Sequence, residues 1–344
     1  MSFTKIDFFN IKWVPWNIPL KEKLQLLAVV VFIFAWLILP IFCIWVPFYI
    51  FFCTSIWWTI PIYLIWYIYD FNTPKNGSRV SYNFRNSRVW KYLADYFPIK
   101  LIKTSELNPE KNYIIGCHPH GILSIGSFVT LCTNGTNFMT MFPGIKSYLM
   151  TLYAQFFFPF RREIGIALGG IEASPTSLKY LLTKCGKGNV VGIVLGGVDE
   201  LYDAHPKTNV LKINNRRGFC KYAIMYGADI VPMYNFGEND AYEQIPNDRT
   251  SFIRQIQMKI CHKFGFIPPI IRGRGIFNYS FGMLPHQNPI YCVIGKPIEV
   301  IQNDTPTEAE IEELYQKYID CLKKLFNNYK CAYGLSEDAA LDIY

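Results

Sequence analysis

A long run without a single charged residue dominates the pattern near the start of the chain. It extends from Leu24 to Tyr69, more than twice the roughly 20 residues that one membrane-spanning helix needs. Lysines precede the run and basic residues follow it, so both ends are expected on the cytosolic side. The pattern predicts a hairpin of two transmembrane helices that turns near Pro40–Pro47. A shallow re-entrant wedge with the same flanks is the alternative.

Beyond this run, short apolar stretches alternate with amphipathic ones, which is typical of an α/β sheet covered by helices. The expected strands begin at Tyr113 and occupy Val190–Leu195, Asp229–Tyr234 and Tyr291–Ile294. The expected helices are Val89–Tyr96, Pro175–Cys185, Gly218–Tyr226, Thr250–Phe264 and a last one that opens with the capping-box pattern Thr307–Glu310. The largely apolar segment Phe142–Phe158 is expected to be a core or interfacial helix. The predicted organisation is a cytosolic lead (1–23), the hairpin (24–69) and one α/β domain (70–344).

Charge and cysteine content narrow the classes of partner and site. A net charge of +8 favours anionic partners, but the basic residues are scattered and no nucleic-acid motif accompanies them. The ten cysteines include no Cys-x-x-Cys pair, so we expect neither a disulfide framework nor a metal site. The protein is expected to interact with phosphorylated small molecules and membrane lipid, and not with nucleic acid.

Two of the five histidines follow the first predicted strand. His118 and His120 flank Pro119, and Gly121 comes next. Histidine takes and returns a proton near neutral pH, and sites of open α/β sheets lie at the carboxyl ends of strands. The pair therefore indicates acid–base chemistry, although a structural role for both rings stays open. The other three, His205, His262 and His286, are expected to be structural.

Acidic residues follow two further predicted strands. Asp199 and Glu200 come after Gly196-Gly197, while Glu238 and Asp240 come after Gly237. If the strands are parallel neighbours, these loops converge on the histidines, and a histidine oriented by a carboxylate can activate a hydroxyl. No Gly-x-Ser-x-Gly elbow is present, so the hydroxyl is expected to be the substrate's own.

Paired arginines form a second group of candidates. They are Arg161-Arg162, Arg216-Arg217 and Arg272-Gly-Arg274. An arginine can hold phosphate oxygens bidentately, but each pair can equally be a solvated surface or a contact with anionic lipid. For Arg217 the phosphate interpretation gains support from the predicted helix that starts directly after it.

These motifs together resemble the type-2 diacylglycerol acyltransferase family, which includes monoacylglycerol acyltransferases. The resemblance covers about Tyr96 to the C-terminus. It rests on Tyr96-Phe97-Pro98, His118-Pro119-His120-Gly121, Phe142-Pro143-Gly144, Gly196-Gly197 with Glu200, Asn215–Phe219, Gly227–Pro232, Phe236–Asn239 and Gly273-Arg274-Gly275. It implies a fold similar to that of the glycerolipid acyltransferases, and a location at the endoplasmic reticulum membrane and lipid droplets.

The resemblance also implies site residues and one departure. Catalytic roles fall on His120, with His118 as second choice, and substrate binding on Gly121, Gly196, Gly197, Arg217, Gly218, Phe219 and Arg274. Glycerolipid acyltransferases usually carry an Asp separated from the His by four residues, but here Leu123 and Ile125 occupy those positions. The orienting acid must come from elsewhere, and Glu238 is the first candidate, with Glu200 second.

The function expected from this resemblance is acyl transfer from acyl-coenzyme A to diacylglycerol, with no further cofactor. The Gly196–Glu200 turn is acidic, which favours a neutral glyceride over a phosphorylated acceptor. Monoacylglycerol or a long-chain alcohol is the alternative acceptor. A membrane scaffold or lipid-binding protein without catalysis is the alternative of another class, and whether the chain forms a homo-oligomer stays open.

Overall fold

The computed structural model describes residues 11–248, 250–264 and 269–344. Residues 1–10 of the predicted lead and the side chain of His262 lie outside this description. The helices are α1 Leu20–Ile33, α2 Leu39–Cys53, α3 Thr59–Tyr69, α4 Tyr82–Arg85, α5 Arg88–Tyr96, α6 Ile125–Cys132, α7 Phe138–Met141, α8 Arg161–Ala167, α9 Pro175–Lys184, α10 Gly218–Tyr226, α11 Phe252–Phe264 and α12 Glu308–Tyr329. The strands are β1 Lys100–Lys103, β2 Tyr113–His118, β3 Lys146–Thr151, β4 Gly170–Glu172, β5 Asn189–Val194, β6 Val210–Leu211, β7 Asp229–Phe236, β8 Glu243–Gln244, β9 Ile271–Arg272, β10 Tyr291–Ile294 and β11 Asp342–Ile343.

A seven-stranded mixed sheet forms the centre of the domain, in the order β1-β10-β7-β2-β5-β3-β4. The strands from β7 to β4 run parallel to one another, whereas β10 is antiparallel to β7. The α/β architecture predicted from the alternating pattern is confirmed. The central position of β2 places the histidine loop in the middle of one sheet edge.

Both faces of the sheet are covered, as its continuous apolar strands require. Successive residues of β2 point to opposite faces: Ile115 and Cys117 belong to the core on one side, and Ile114 to the core on the other. The first core includes residues of α1, α5 and α6, and the second includes residues of α9, α10 and α12.

Most predicted elements of the α/β domain are present, and one of them is wrong. The bounds of α10 and β10 match the prediction, and Thr307 with Glu310 forms the predicted capping box of α12. The segment Phe142–Phe158 is not a helix, since it contains β3 and a 3-10 turn at Tyr153–Phe156. Because β3 is buried between β5 and β4, both of its faces are apolar. An apolar run of this kind does not distinguish a buried strand from a buried helix.

The N-terminal apolar segment differs from the predicted hairpin. The chain is helical from Leu20 to Cys53, with a π-helical turn at Phe34–Ile38, and this is the one helix among the described residues that is long and apolar enough to cross a membrane. The predicted turn near Pro40–Pro47 is wrong. Pro40 follows directly after the π-helical turn, a local change of helix geometry at which the usual backbone hydrogen bonds are altered, and Pro47 lies within α2. The helix ends instead at Cys53, before α3.

This apolar segment packs against the α/β domain at both ends. Val29 and Phe32 of α1 are buried in the core that contains α5 and α6. At the other end, the buried Arg162 pairs with Asp70, with 3.0 Å between Nη1 and Oδ2. The side chains of α2 and α3 are mostly exposed and apolar, including those of Trp45 and Ile65. A large apolar surface therefore projects from the domain between two fixed ends.

The lead before α1 is attached to a distant loop. The N–H of Val14 donates to the Phe277 carbonyl at 2.9 Å, and the N–H of Tyr279 donates to the Lys12 carbonyl at 2.8 Å. The N–H of Lys12 also donates to Oγ of Ser280 at 3.0 Å. These bonds form an antiparallel clasp between residues 12–14 and 277–280.

Candidate active site

The three polar loops converge, as predicted. Strand β2 lies between β5 and β7 and is parallel to both, so the loops that follow all three strands meet at the same edge of the sheet. The first loop carries the histidines, the second Glu200, and the third Glu238.

His118 is the last residue of β2 and is fully buried. Its Nε2 lies 2.7 Å from the hydroxyl of Tyr318 on α12, while Nδ1 has no hydrogen-bond partner among the described residues. Burial lowers the pKa of this imidazole to about 3, because a charged ring would lose its hydration. His118 is therefore neutral at physiological pH and is enclosed within the domain.

His120 is half-buried and held by its backbone on both sides. Its N–H donates to Oε2 of Glu200 at 2.8 Å, and its carbonyl accepts from N and Oγ of Ser124 at 3.1 and 2.8 Å. Burial lowers the pKa of the ring, which keeps it neutral.

The tautomer of His120 follows from a single contact. Its Nδ1 lies 2.9 Å from the carbonyl oxygen of Gly121. Because a carbonyl only accepts, Nδ1 carries the proton and Nε2 has the free lone pair. No hydrogen bond to Nε2 exists within the part of the chain that the structure describes. His120 is thus an oriented neutral base.

Glu238 does not contact either imidazole, contrary to the prediction. Its Oε1 and Oε2 accept from the N–H groups of Ile125 and Gly126, at 2.6 and 2.8 Å. A carboxylate in this position binds the positive end of the α6 dipole. Burial raises the pKa of Glu238 to about 7, while the two N–H groups lower it. The prediction of an orienting acid is corrected here, since a backbone carbonyl orients His120; a catalytic role for Glu238 stays a prediction.

Glu200, the second candidate, reaches His120 through the backbone and not through the ring. Its two oxygens accept from the N–H groups of His120 and Lys212, at 2.8 and 2.9 Å. Burial raises its pKa to about 7. The side chain lies directly under the glycine turn, because a Cβ at Gly196 would come within 1.8 Å of Cδ of Glu200. Glu200 therefore fixes the histidine loop against the second loop.

The acidic turn does not present unpaired negative charge, which corrects the argument for a neutral acceptor. Asp199 lies 3.5 Å from Nζ of Lys212 and 3.4 Å from Nη2 of Arg216, and Glu200 is buried. Gly197 adopts a φ of +59° at this turn, close to Arg216. The choice of acceptor cannot rest on the charge of this turn.

Three predicted binding residues lie together at the start of α10. Arg217 forms an ion pair with Glu312 and lies over the Tyr315 ring at 4.7 Å. Phe219 is buried, 4.9 Å from the Tyr318 ring, whereas Gly218 is exposed with open space beside it. Phe219 thus supports the tyrosine that contacts His118, and Arg217 already has an anionic partner.

Arg274 lies elsewhere, at a cavity of about 740 Å³ beside the third loop. Lys207, Gly237 and Asp240 also line this cavity, and all three line a smaller cavity that extends to Pro119 and Glu238. The larger cavity therefore lies next to the histidine loop. Arg274 lies on the side of this loop, whereas Arg217 is not among the residues that line this space.

The sequence did not indicate two functional contacts. The helical spacing of Tyr318 with the apolar residues of the last helix indicates packing alone, but a buried tyrosine hydroxyl requires a partner, and His118 provides it. The sequence gives no sign of the contact with the Gly121 carbonyl, because every residue has a backbone carbonyl.

A family model described as "Diacylglycerol acyltransferase" matches residues 49–344. The chain is 41% identical to 2-acylglycerol O-acyltransferase 1 of Bos taurus, over 96% of this chain and 99% of that one. It is 40% identical to diacylglycerol O-acyltransferase 2 of Dictyostelium discoideum, over 97% and 99%. Among solved structures, it is similar to the 1-acyl-sn-glycerophosphate acyltransferase PlsC from Thermotoga maritima, with a TM-score of 0.39 and 11% identity over 89% and 96% of the two chains.

Proposed function

Because the chain belongs to the diacylglycerol acyltransferase family, we propose that it transfers a fatty acyl group from acyl-coenzyme A to the hydroxyl of diacylglycerol, with His120 as the general base. The contact that carries this proposal is the hydrogen bond from Nδ1 of His120 to the Gly121 carbonyl. It leaves Nε2 as the only basic ring atom and fixes its direction.

In this reaction Nε2 accepts the proton of the acceptor hydroxyl as the oxygen attacks the thioester carbonyl. The carbon–sulfur bond then breaks, and the thiolate of coenzyme A takes the proton back from the imidazolium. A positioned base of this kind contributes about 10²–10⁴ to the rate. Coenzyme A is a substrate here, and the chemistry requires no further cofactor.

Backbone N–H groups of the same loop are suited to stabilise the oxyanion. Those of His120, Ile125 and Gly126 are bound to Glu200 and Glu238. Those of Gly121 and Ile122 have no hydrogen-bond partner within the described residues. We assign these two as candidate oxyanion donors.

Monoacylglycerol is the second candidate acceptor. The relatives named for 2-acylglycerol and for diacylglycerol are equally similar to this chain, at 41% and 40% identity. Overall similarity therefore does not separate the two acceptors, and a long-chain alcohol stays a further alternative.

We also propose that the apolar segment inserts into the endoplasmic reticulum membrane as a shallow wedge. The 11 residues of α3 span about 16 Å at 1.5 Å per residue, which is about half of a hydrocarbon core of roughly 30 Å. Part of α1 is buried against the domain. These lengths support the re-entrant alternative over two full crossings, with acceptor lipid entering from the same leaflet.

The test uses the full chain in microsomes from cells that lack neutral-lipid synthesis. Labelled oleoyl-coenzyme A is supplied with diacylglycerol, monoacylglycerol or a long-chain alcohol. His120→Ala should lower product formation by at least about 10² at an unchanged protein level, while His205→Gln, a histidine that contacts Asn247, should retain activity. Near-normal turnover by His120→Ala would exclude His120 as the general base. A wild-type product other than triacylglycerol would show that the acceptor is not diacylglycerol.

A further inference from the structure

The cavity of about 740 Å³ beside the third loop has charged and aromatic side chains in its lining. Ligand pockets in proteins measure about 300–1,000 Å³, so its size suits a substrate. The lining includes Lys207, Arg274 and His286 and the aromatic side chains of Tyr279, Tyr291 and Tyr333. A smaller cavity beside it shares Lys207, Gly237 and Asp240 and reaches Pro119.

Arg274 is a buried cation without an anionic partner. Its side chain is only 6% exposed, and no carboxylate lies within 4 Å of it among the described residues. Its Nε donates to the Gly275 carbonyl at 3.2 Å, its side chain hydrogen-bonds Tyr96, and the guanidinium lies over the Tyr279 ring at 4.3 Å. None of these contacts neutralises the charge. An uncompensated buried charge is costly, which indicates that an anion binds beside it.

Lys207 adds a second cation to the lining of this cavity. Its ammonium is exposed and has no ion pair among the described residues. Arg274 and Lys207 together offer donors of the kind that hold phosphate oxygens. His286 is not a third donor, because burial lowers the pKa of its ring and the one N–H of the neutral ring bonds the Arg272 backbone, which leaves Nε2 as a buried lone pair.

The acidic residues of the cavity do not pair with Arg274. Glu243 pairs with Arg272, and Asp240 accepts at Oδ1 from the N–H of Lys207 at 2.8 Å but has no ion pair among the described residues. The lining therefore sets two cations, Arg274 and Lys207, against one unpaired carboxylate, and this balance favours an anion.

We propose that this cavity binds the phosphate-bearing nucleotide end of coenzyme A. Arg274 and Lys207 hold phosphate oxygens, and the aromatic part of the lining, which includes Tyr291 and Tyr333 with ring centroids 4.3 Å apart, provides a surface for the adenine ring. The thioester end then points along the third loop toward Pro119, the residue before His120. This inference rests on the proposed acyl-coenzyme A reaction and assigns its nucleotide site.

The clasp between the lead and residues 277–280 preorganises this site. It includes Tyr279, whose ring lies under Arg274. A loop that is held before the ligand arrives loses less conformational freedom on binding.

The experiment compares two acyl donors in detergent micelles without phospholipid. Oleoyl-coenzyme A carries the nucleotide phosphates, whereas S-oleoyl-pantetheine lacks them. Arg274→Gln should raise KM for oleoyl-coenzyme A about tenfold or more and leave KM for the pantetheine thioester within twofold. Lys207→Gln, which changes an exposed side chain, should raise the first KM by a smaller factor. Arg88→Gln removes an exposed arginine elsewhere and should change neither.

Equal increases in both KM values would show that Arg274 only maintains the fold, and unchanged values in both Arg274→Gln and Lys207→Gln would overturn the site. A third arm adds vesicles of phosphatidic acid. If the variants differ from wild type only in that arm, the anion is a lipid headgroup and the proposal is wrong. Absence of triacylglycerol from wild type with either donor would instead reject the proposed function.

Discussion

The hydroxyl of Tyr318 lies 2.7 Å from Nε2 of His118, and both side chains are fully buried. The hydroxyl reaches the histidine by crossing β2 at Gly116, where a Cβ would come within 2.0 Å of it. The helix α12 thereby contacts the central strand beneath the histidine loop.

Tyr318→Phe should lower both stability and turnover. It leaves Nε2 of His118 without a partner, at a cost of about 1–3 kcal/mol, and releases the residue from which the loop starts. We expect kcat to fall about tenfold with KM nearly unchanged. The matched control is Tyr315→Phe on the same helix. This substitution removes a buried hydrogen bond to the Ile213 carbonyl and should lower only the melting temperature. Equal loss of kcat in both variants would reduce the role of Tyr318 to packing.

The rate should report the depressed pKa of His120. The base acts only when neutral, and burial lowers its pKa below the ordinary 6.5. The value of kcat/KM should therefore rise with pH, with the midpoint of this acid limb below pH 6.5, and should reach a plateau by pH 7. Initial rates from pH 5 to 8 in vesicles measure this limb. A limb centred near 7 would point to Glu200 or Glu238 instead.

Gly121→Ala should destabilise the protein more than a glycine substitution with equal backbone strain. Gly121 has a φ of +59°, and a Cβ there would come within 2.6 Å of Cγ of Glu238. Gly186 has a φ of +76° with open space around it, so Gly186→Ala carries only the strain. The difference between the melting temperatures of the two variants measures the cost of the clash with Glu238 apart from the backbone strain. Similar decreases in melting temperature would mean that Glu238 moves aside without cost.

The stability conferred by Glu238 should depend on pH. Its pKa is raised in the folded protein to about 7, so between about pH 4.5 and 7 the folded state binds more protons than the unfolded state. Stability from this group is then greatest at the acid end and falls as pH rises to 7. The melting-temperature advantage of wild type over Glu238→Gln should narrow across that range. A widening advantage would show that the two N–H bonds outweigh burial.

The sequence predicted those parts of the fold that have local signals. The capping residue Thr307, Pro175 at the start of α9 and the β-branched run of β5 each identify an element within a few residues. Segment Phe142–Phe158 failed because β3 is apolar on both faces, and only its neighbours in the sheet decide between strand and helix.

The candidate site was predictable as a location but not as a set of contacts. Parallel strands bring their loops together, so the convergence of His120, Glu200 and Glu238 followed from the pattern. Which atoms meet depends on side-chain reach across the sheet edge. Glu238 binds the start of α6 because Gly121 leaves room for it, and no spacing in the sequence encodes that choice.

The clasp between residues 12–14 and 277–280 limits the paths that the proposed membrane segment can take. The lead and the loop belong to one body, and the chain rejoins that body at Asp70, which pairs with Arg162. A segment whose two ends are fixed to the same body must leave and return on the same side. The segment therefore makes an even number of complete membrane crossings. A wedge with no crossing and a hairpin with two crossings both meet this condition.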